Sequence, residues 1–232
     1  MNKKNVILVI LFIISGILYY LWASSQQTMS QLETTRIIDG DTIELSNNVK
    51  VRLLGINTPE KGMLNSQLPI SYLNNTILNK EITLIHQDTD KYGRILGYVF
   101  LNNKNINQEL IEHGYAHLYY YGKDQYYNQL KQSETQARNQ ELGIWHKSSN
   151  YHCLNLIELK YNDDKYGKET LTLENNCQKQ IDITIKDDAT HIYKRTLDTG
   201  IYQENFNHIF NQAGDSLYIW DNEGLVEFYR YE

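Results

Sequence analysis

TTRIIDGDTIELSNNVKVRLLGINTPE, residues 34–60, is the stretch that decides the fold. β-Branched residues crowd both sides of Asp39-Gly40-Asp41, so residues 34–45 read as two strand halves joined by a tight glycine turn, and residues 49–54 as the next strand. Thr58-Pro59 starts a loop, and Pro69 stands at the first turn of a short helix running to about Leu78. Residues 82–86 and 95–101 are further strands, separated by a polar turn at 88–93. Residues 106–113 form a helix with Ile106, Leu110 and Ile111 on one stripe, and residues 126–142 a longer one stopped by Gly143. Strands first and helices later is an α+β pattern built on a small barrel.

Outward from this segment the texture changes on both sides. Residues 154–159, 170–173, 181–185, 191–194 and 216–220 are short strands with turns between them, so the C-terminal part reads as an all-β sandwich. At the other end, residues 1–22 (MNKKNVILVILFIISGILYYLW) place two lysines before an apolar run close to the roughly 20 residues that cross a bilayer. The run predicts an uncleaved membrane anchor, because Leu21-Trp22-Ala23 matches a signal-peptidase site poorly; cleavage would leave a secreted protein instead. Lys3 and Lys4 stay inside, placing the rest of a single-pass chain outside the cytoplasm. The resulting division is an anchor at 1–22, a polar tether at 23–30, a barrel domain at 31–147 and a sandwich at 152–232.

Charge restricts where a polyanion could bind. Lys and Arg total 22 against 28 Asp and Glu, for a net charge of −6, which excludes a protein that coats nucleic acid by bulk charge. Residues 1–29 carry +2, residues 30–147 carry −1 and residues 148–232 carry −7, so the tail should repel nucleic acid and any such site belongs in the middle. Cys153 and Cys177 are the two cysteines, and an even number in an exported chain favours a disulfide, with two buried thiols as the alternative.

Three strings in the middle segment carry chemistry: IDGDTIEL (38–45), VRLLGINTPE (51–60) and DKYGR (90–94). Phosphodiester hydrolysis needs a cation on the non-bridging oxygens, activated water and donors that follow charge onto the transition state. Asp41, Asn57 and the Thr58 carbonyl offer hard oxygen ligands that suit calcium. Arg52 and Arg94 can fork onto phosphate oxygens, and Glu60 remains to activate water. Taken singly, each residue also reads as structural: Asp39 and Asp41 as turn formers, Arg52 as a strand charge, Glu60 as a carboxylate at a helix start. Their joint order is harder to dismiss.

That order resembles the staphylococcal nuclease (thermonuclease) family over about residues 31–147, through DGDT, RLLGxxTPE, DKYGR and the closing QARNQELGIW. The resemblance implies a five-stranded OB-fold barrel with three helices. It also implies Ca²⁺ at Asp41 and Thr58, with Asn57 where the family has an aspartate, phosphate contacts from Arg52 and Arg94, and Glu60 as general base. Lys91, Tyr92 and Tyr120 fall near its substrate-contacting positions. Two departures stand out: Asn57 removes a charge from the metal site, and the loop at 61–68 is short. The tail, through LTLENNCQKQIDITIKD (171–187), DATHIY (188–193) and GDSLYIWDNEGLVEFYRY (214–231), resembles lamin-tail-like domains, which implies an immunoglobulin-like sandwich and a role in attachment. The implied activity is a calcium-dependent endonuclease that cleaves DNA or RNA and leaves 3′-phosphates. The competing class is a barrel that binds nucleic acid or a surface partner without catalysis, and retention of Asp41, Arg52, Glu60 and Arg94 together argues against it.

Overall fold

The computed structural model describes residues 12–17, 29–119, 122, 124–163 and 168–231. Strands β1 (Met29–Ile37), β2 (Thr42–Leu45) and β3 (Lys50–Leu53) form an antiparallel meander. Beyond the short β4 (Ile56–Asn57), β5 (Glu81–Thr89) pairs with β1 and with β6 (Ile95–Leu101). β6 then lies parallel to β3, with Val51 opposite Ile95, and this pairing closes five strands into a barrel without open edges. Alternate residues point inward, so Ile43, Leu45, Val51, Leu53, Ile82, Leu84 and Val99 are buried.

Helix α1 (Gln67–Thr76) contributes Leu73 to this core, α2 (Ile106–Glu112) contributes Ile106, Leu110 and Ile111, and α3 (Tyr127–Asn139) contributes Leu130. Asn105, in the two-residue β7 (Lys104–Asn105), caps α2 by accepting from the Gln108 amide at 3.3 Å. The architecture is an OB-fold barrel with three helices. β1 starts earlier than its β-branched residues indicate, because residues 29–33, none of them β-branched, are paired with β5. The anchor expected at 1–22 lies outside the described residues except for a helical stretch at 12–17. No helix among the described residues is long and apolar enough to cross a membrane.

The C-terminal strands form two sheets. β9 (Leu154–Asp163), β10 (Lys168–Asn175) and β13 (Gly200–Asn207) make one; β12 (Ile192–Leu197), β11 (Ile181–Lys186), β14 (Asp215–Trp220) and β15 (Leu225–Tyr231) make the other. Leu171, Leu173 and Phe206 from the first meet Ile183, Ile185, Leu217 and Ile219 from the second, as in a β-sandwich. β14 is buried on both faces. Leu217 and Ile219 enter the sandwich, whereas Tyr218 and Trp220 join Ala137, Ile144 and Trp145 in a core shared with the barrel half. Trp220 Nε1 donates to the Ile144 carbonyl at 3.0 Å, and Arg230 on β15 forms a buried ion pair with Glu134 on α3.

Cys153 and Cys177 are bonded, tying the start of β9 to the turn after β10 across 24 residues. The cross-link should contribute about 2–4 kcal/mol by restricting the unfolded chain. Thiol labelling of denatured, non-reduced protein should find no free cysteine, and denaturant titration of Cys153→Ala/Cys177→Ala should show that loss; two labelled thiols would overturn the pairing.

Asp188, in the loop between β11 and β12, accepts from Tyr218 Oη at 2.8 Å and lies 3.6 Å from Arg230 Nη2. Burial pushes its carboxyl up to about 6; Arg230 opposes the rise and Asp215 adds to it. The folded chain therefore holds a proton that the unfolded chain has released, and Asp188's contribution to stability is complete at low pH and lost as pH climbs through about 6. Stability curves of Asp188→Asn and the parent, from about pH 4 to about pH 7, should diverge in favour of Asn as pH rises. A constant offset would contradict the assignment.

Candidate active site

The turn between β1 and β2 carries the first two acids. Asp39 Oδ1 accepts from the Asp41 amide at 3.1 Å. Asp41 is buried and bonded through both oxygens: Oδ1 accepts from Thr42 Oγ1 at 3.2 Å and faces Arg52 Nε at 3.1 Å, while Oδ2 accepts from the Thr58 amide at 3.2 Å and its hydroxyl at 3.1 Å. Gly40 between them lies against Thr58 and Pro69. A Cβ there would sit 2.5 Å from Thr58 Oγ1 and 2.8 Å from Pro69 Cγ.

Arg52 projects from β3 and is held by three hydrogen bonds and an ion pair. Its Nη1 donates to the carbonyls of Leu53 at 2.6 Å and Ile56 at 2.9 Å, its Nη2 to Asn57 Oδ1 at 3.1 Å, and its Nε pairs with Asp41. The three hydrogen bonds use both Nη1 protons and one Nη2 proton, leaving the second Nη2 proton and the Nε that faces Asp41. Asn57 is placed by β4, which pairs with β8 (His117–Leu118) so that Asn57 lies opposite His117. Its oxygen faces Arg52, and its amide nitrogen donates to the carbonyls of Asp188 at 3.0 Å and Ala189 at 2.9 Å.

Arg94 follows the β5–β6 turn, where Asp90 accepts from the amides of Tyr92 and Arg94 and from Arg94 Nε at 2.8 Å. Gly93 takes φ +78°, which closes the turn and aims Arg94 inward.

These side chains meet around one cavity of about 690 Å³, lined by Asp39, Asp41, Arg52, Asn57, Thr58, Glu60 and Arg94, with Ala189 and Thr190 of the sandwich as part of its wall. Burial raises the Glu60 carboxyl; Lys186 opposes the rise, and Asp41 and Asp39 add to it. Asp39 is likewise raised, by burial first and then by Asp41. Crowded, desolvated carboxylates are the environment that a hard cation relieves, and every donor on that side is an oxygen, which fits calcium. Among the described residues no three His, Cys, Asp or Glu converge as a cage, so carbonyl and water oxygens would have to complete the shell.

Lys91 and Tyr92 sit outside this lining. Tyr92 is 73% exposed, with Lys91 Nζ 5.1 Å and Arg94 Cζ 5.6 Å from its ring centre. Tyr120 lies outside the described residues. Of the tyrosine-rich stretch before α3, Tyr126 packs 4.3 Å from Tyr98, between rings, and Tyr119 lines the cavity. Sequence reasoning missed Ala189, Thr190 and the buried Lys186, which belong to strings read as sandwich and carry no motif of the site.

A family profile described as Staphylococcal nuclease homologue matches residues 50–147. A micrococcal nuclease of Shigella flexneri is 34% identical over 126 residues, covering 49% of this chain and 72% of that protein. A thermonuclease of Staphylococcus intermedius is 31% identical over 124 residues, covering 48% of this chain and 74% of that one. An uncharacterized protein of Methanocaldococcus jannaschii is 30% identical over 154 residues, covering 51% of this chain and 72% of that one.

The close fit at Gly40 generates a test. Gly40→Ala must displace Thr58 from Asp41, at a cost of roughly 1–3 kcal/mol, typical of overpacking. A lowered denaturation midpoint is expected, and a variant as stable as the parent would show that this contact is slack.

Proposed function

The chain belongs to the family of staphylococcal nuclease homologues, and on that footing we propose that it is a calcium-dependent endonuclease hydrolysing phosphodiester bonds of DNA or RNA outside the cytoplasm. It is a hydrolase of the nuclease class. The observation that carries the finer reading is the cavity that gathers Asp39, Asp41 and Glu60 on the same space as Arg52 and Arg94. A surface that only bound a polyanion would have no use for three carboxylates beside its arginines.

The roles follow from chemistry. Calcium, held by Asp41 with the Thr58 carbonyl, and by Asn57 if its amide oxygen can serve the ion and Arg52 together, would supply Lewis-acid stabilisation of the phosphoryl oxygens. Glu60, with its proton affinity raised by burial, is the group placed to take a proton from water. Arg52 and Arg94 supply donors for the charge that builds on phosphorus oxygens. Lys91, Tyr92 and Tyr120 are proposed as contacts to the terminal phosphate and the base of the substrate. Scission of the 5′ O–P bond, leaving 3′-phosphates, completes the reading. Export past a membrane anchor at 1–22 is supported by the disulfide, since such bonds persist in oxidising compartments. The C-terminal sandwich is proposed as lamin-tail-like, on the strings that suggested it.

Release of acid-soluble nucleotides from DNA and RNA, with calcium and with chelator, tests the activity; end-labelling of the products tests the phosphate position. Arg52→Lys and Arg94→Lys should each lower kcat/KM by more than tenfold, roughly, with folding retained, because the charge stays but the planar fork is lost. Glu60→Gln should lower kcat while calcium-dependent nucleotide binding persists. Normal turnover by the Gln variant would remove Glu60 from the role of base.

A further inference from the structure

The sandwich reaches the cavity through one loop, residues 187–190, that joins β11 to β12. This loop is fixed from several sides. Lys186, which is 1% exposed, donates through Nζ to the Asp187 carbonyl at 2.9 Å and to the Ala189 carbonyl. Asp187 accepts from the His191 amide at 3.0 Å and contacts its ring Nδ1 at 2.7 Å. The Asp188 amide donates to Asp215 at 3.0 Å, and the Asp188 carboxylate is bonded by Tyr218 and Ser216. A loop held this way presents two carbonyl oxygens, those of Asp188 and Ala189, in fixed positions to the amide of Asn57.

Asn57 is the joint. With carbonyls on one side and a guanidinium on the other, its nitrogen must face the sandwich and its oxygen must face Arg52. The link is continuous from the loop to Asn57, from Asn57 to Arg52 and from Arg52 to Asp41. A carboxylate at position 57 could accept from Arg52 but would set an anionic oxygen against two carbonyl oxygens. It would lose both donations and repel the loop.

We propose that the 187–190 loop is a working part of the catalytic cavity, holding Asn57 and through it fixing Arg52 in the orientation that meets phosphate. Asn57 is then a positioning residue, and the sandwich completes the site rather than simply trailing it. This rests on the reading of Arg52 as a phosphate ligand; the geometric part, that the loop fixes Arg52, does not.

The test uses the full-length chain and two variants that approach the link from opposite ends. Asn57→Asp is nearly isosteric, so the fold should survive; Lys186→Met removes the ammonium that gathers the loop carbonyls without touching Arg52 or Asn57. In each, the Arg52 Nε–H signal in ¹⁵N-correlated NMR should exchange with solvent faster than in the parent. Cleavage should fall in parallel, with kcat/KM reduced roughly 100-fold, the scale expected from misplacing a binding group by an ångström. Should Lys186→Met fail to fold, Asn57→Asp decides alone. Unchanged Arg52 exchange in a folded Asn57→Asp would overturn the inference, and with it higher activity at limiting calcium would mark Asn57 as simply a metal ligand. If the parent cleaves neither DNA nor RNA, the nuclease reading fails, and Arg52 exchange still decides whether the loop positions the guanidinium.

Discussion

The buried pairing of Arg52 with Asp41 is the interaction around which the site is organised. A guanidinium removed from water needs partners for its donors, and Arg52 finds them in one carboxylate, two backbone carbonyls and one amide oxygen. Those partners come from the turn before β2, the end of β3 and both residues of β4, so one side chain ties the 38–45 string to the 51–60 string. The two carbonyl bonds pin the chain between β3 and β4 and thereby place Thr58 over Asp41. Asp39 and Glu60 are left crowding the same space with raised proton affinity, and that imbalance is what a divalent cation or an incoming phosphodiester with its counterion would resolve.

The second constraint is the two-sided burial of β14. A strand that puts Leu217 and Ile219 into the sandwich and Tyr218 and Trp220 against Trp145 and Ile144 cannot be shifted by one residue without turning both sets the wrong way. The register of that strand, with Arg230 locked onto Glu134, fixes how the sandwich sits on the barrel half. β11 neighbours β14, so its end at Lys186 and the loop beyond it are delivered to the cavity as a consequence.

The barrel was legible because its strands carry β-branched residues between turn signals, and the site because its acids and arginines lie inside those strings. The sandwich was only partly legible. β13 has a single buried residue, Phe206, among exposed and half-exposed positions, so no apolar pattern marks Gly200–Asn207 as a strand. The two-residue β4–β8 pairing is too short to leave a pattern, yet it sets Asn57. Least legible was the contact between loop and site, because it is made by backbone carbonyls, which every sequence possesses. Asn57 was visible as a departure from the resemblance. Its reason lies 131 residues away in the chain, in a partner that no side chain announces.

The acidity of the tail takes on a different meaning once its charges are located. Residues 148–232 carry −7, which from sequence alone argues for repulsion of nucleic acid. Where the tail meets the cavity, however, its acids face inward: Asp187 and Asp215 are buried, and Asp188 is turned toward Tyr218 and Arg230. Lys186, buried, and Arg230, half-buried, stand among them as countercharges. The residues that line the cavity are Ala189 and Thr190, which are uncharged. Repulsion between exposed charges decays over about a Debye length of roughly 8 Å at physiological salt, so acids on the far surface of the sandwich are screened from a strand at the cavity. An acidic module can therefore form one wall of a site for a polyanion, provided that the wall itself is neutral and its nearest carboxylates already have partners.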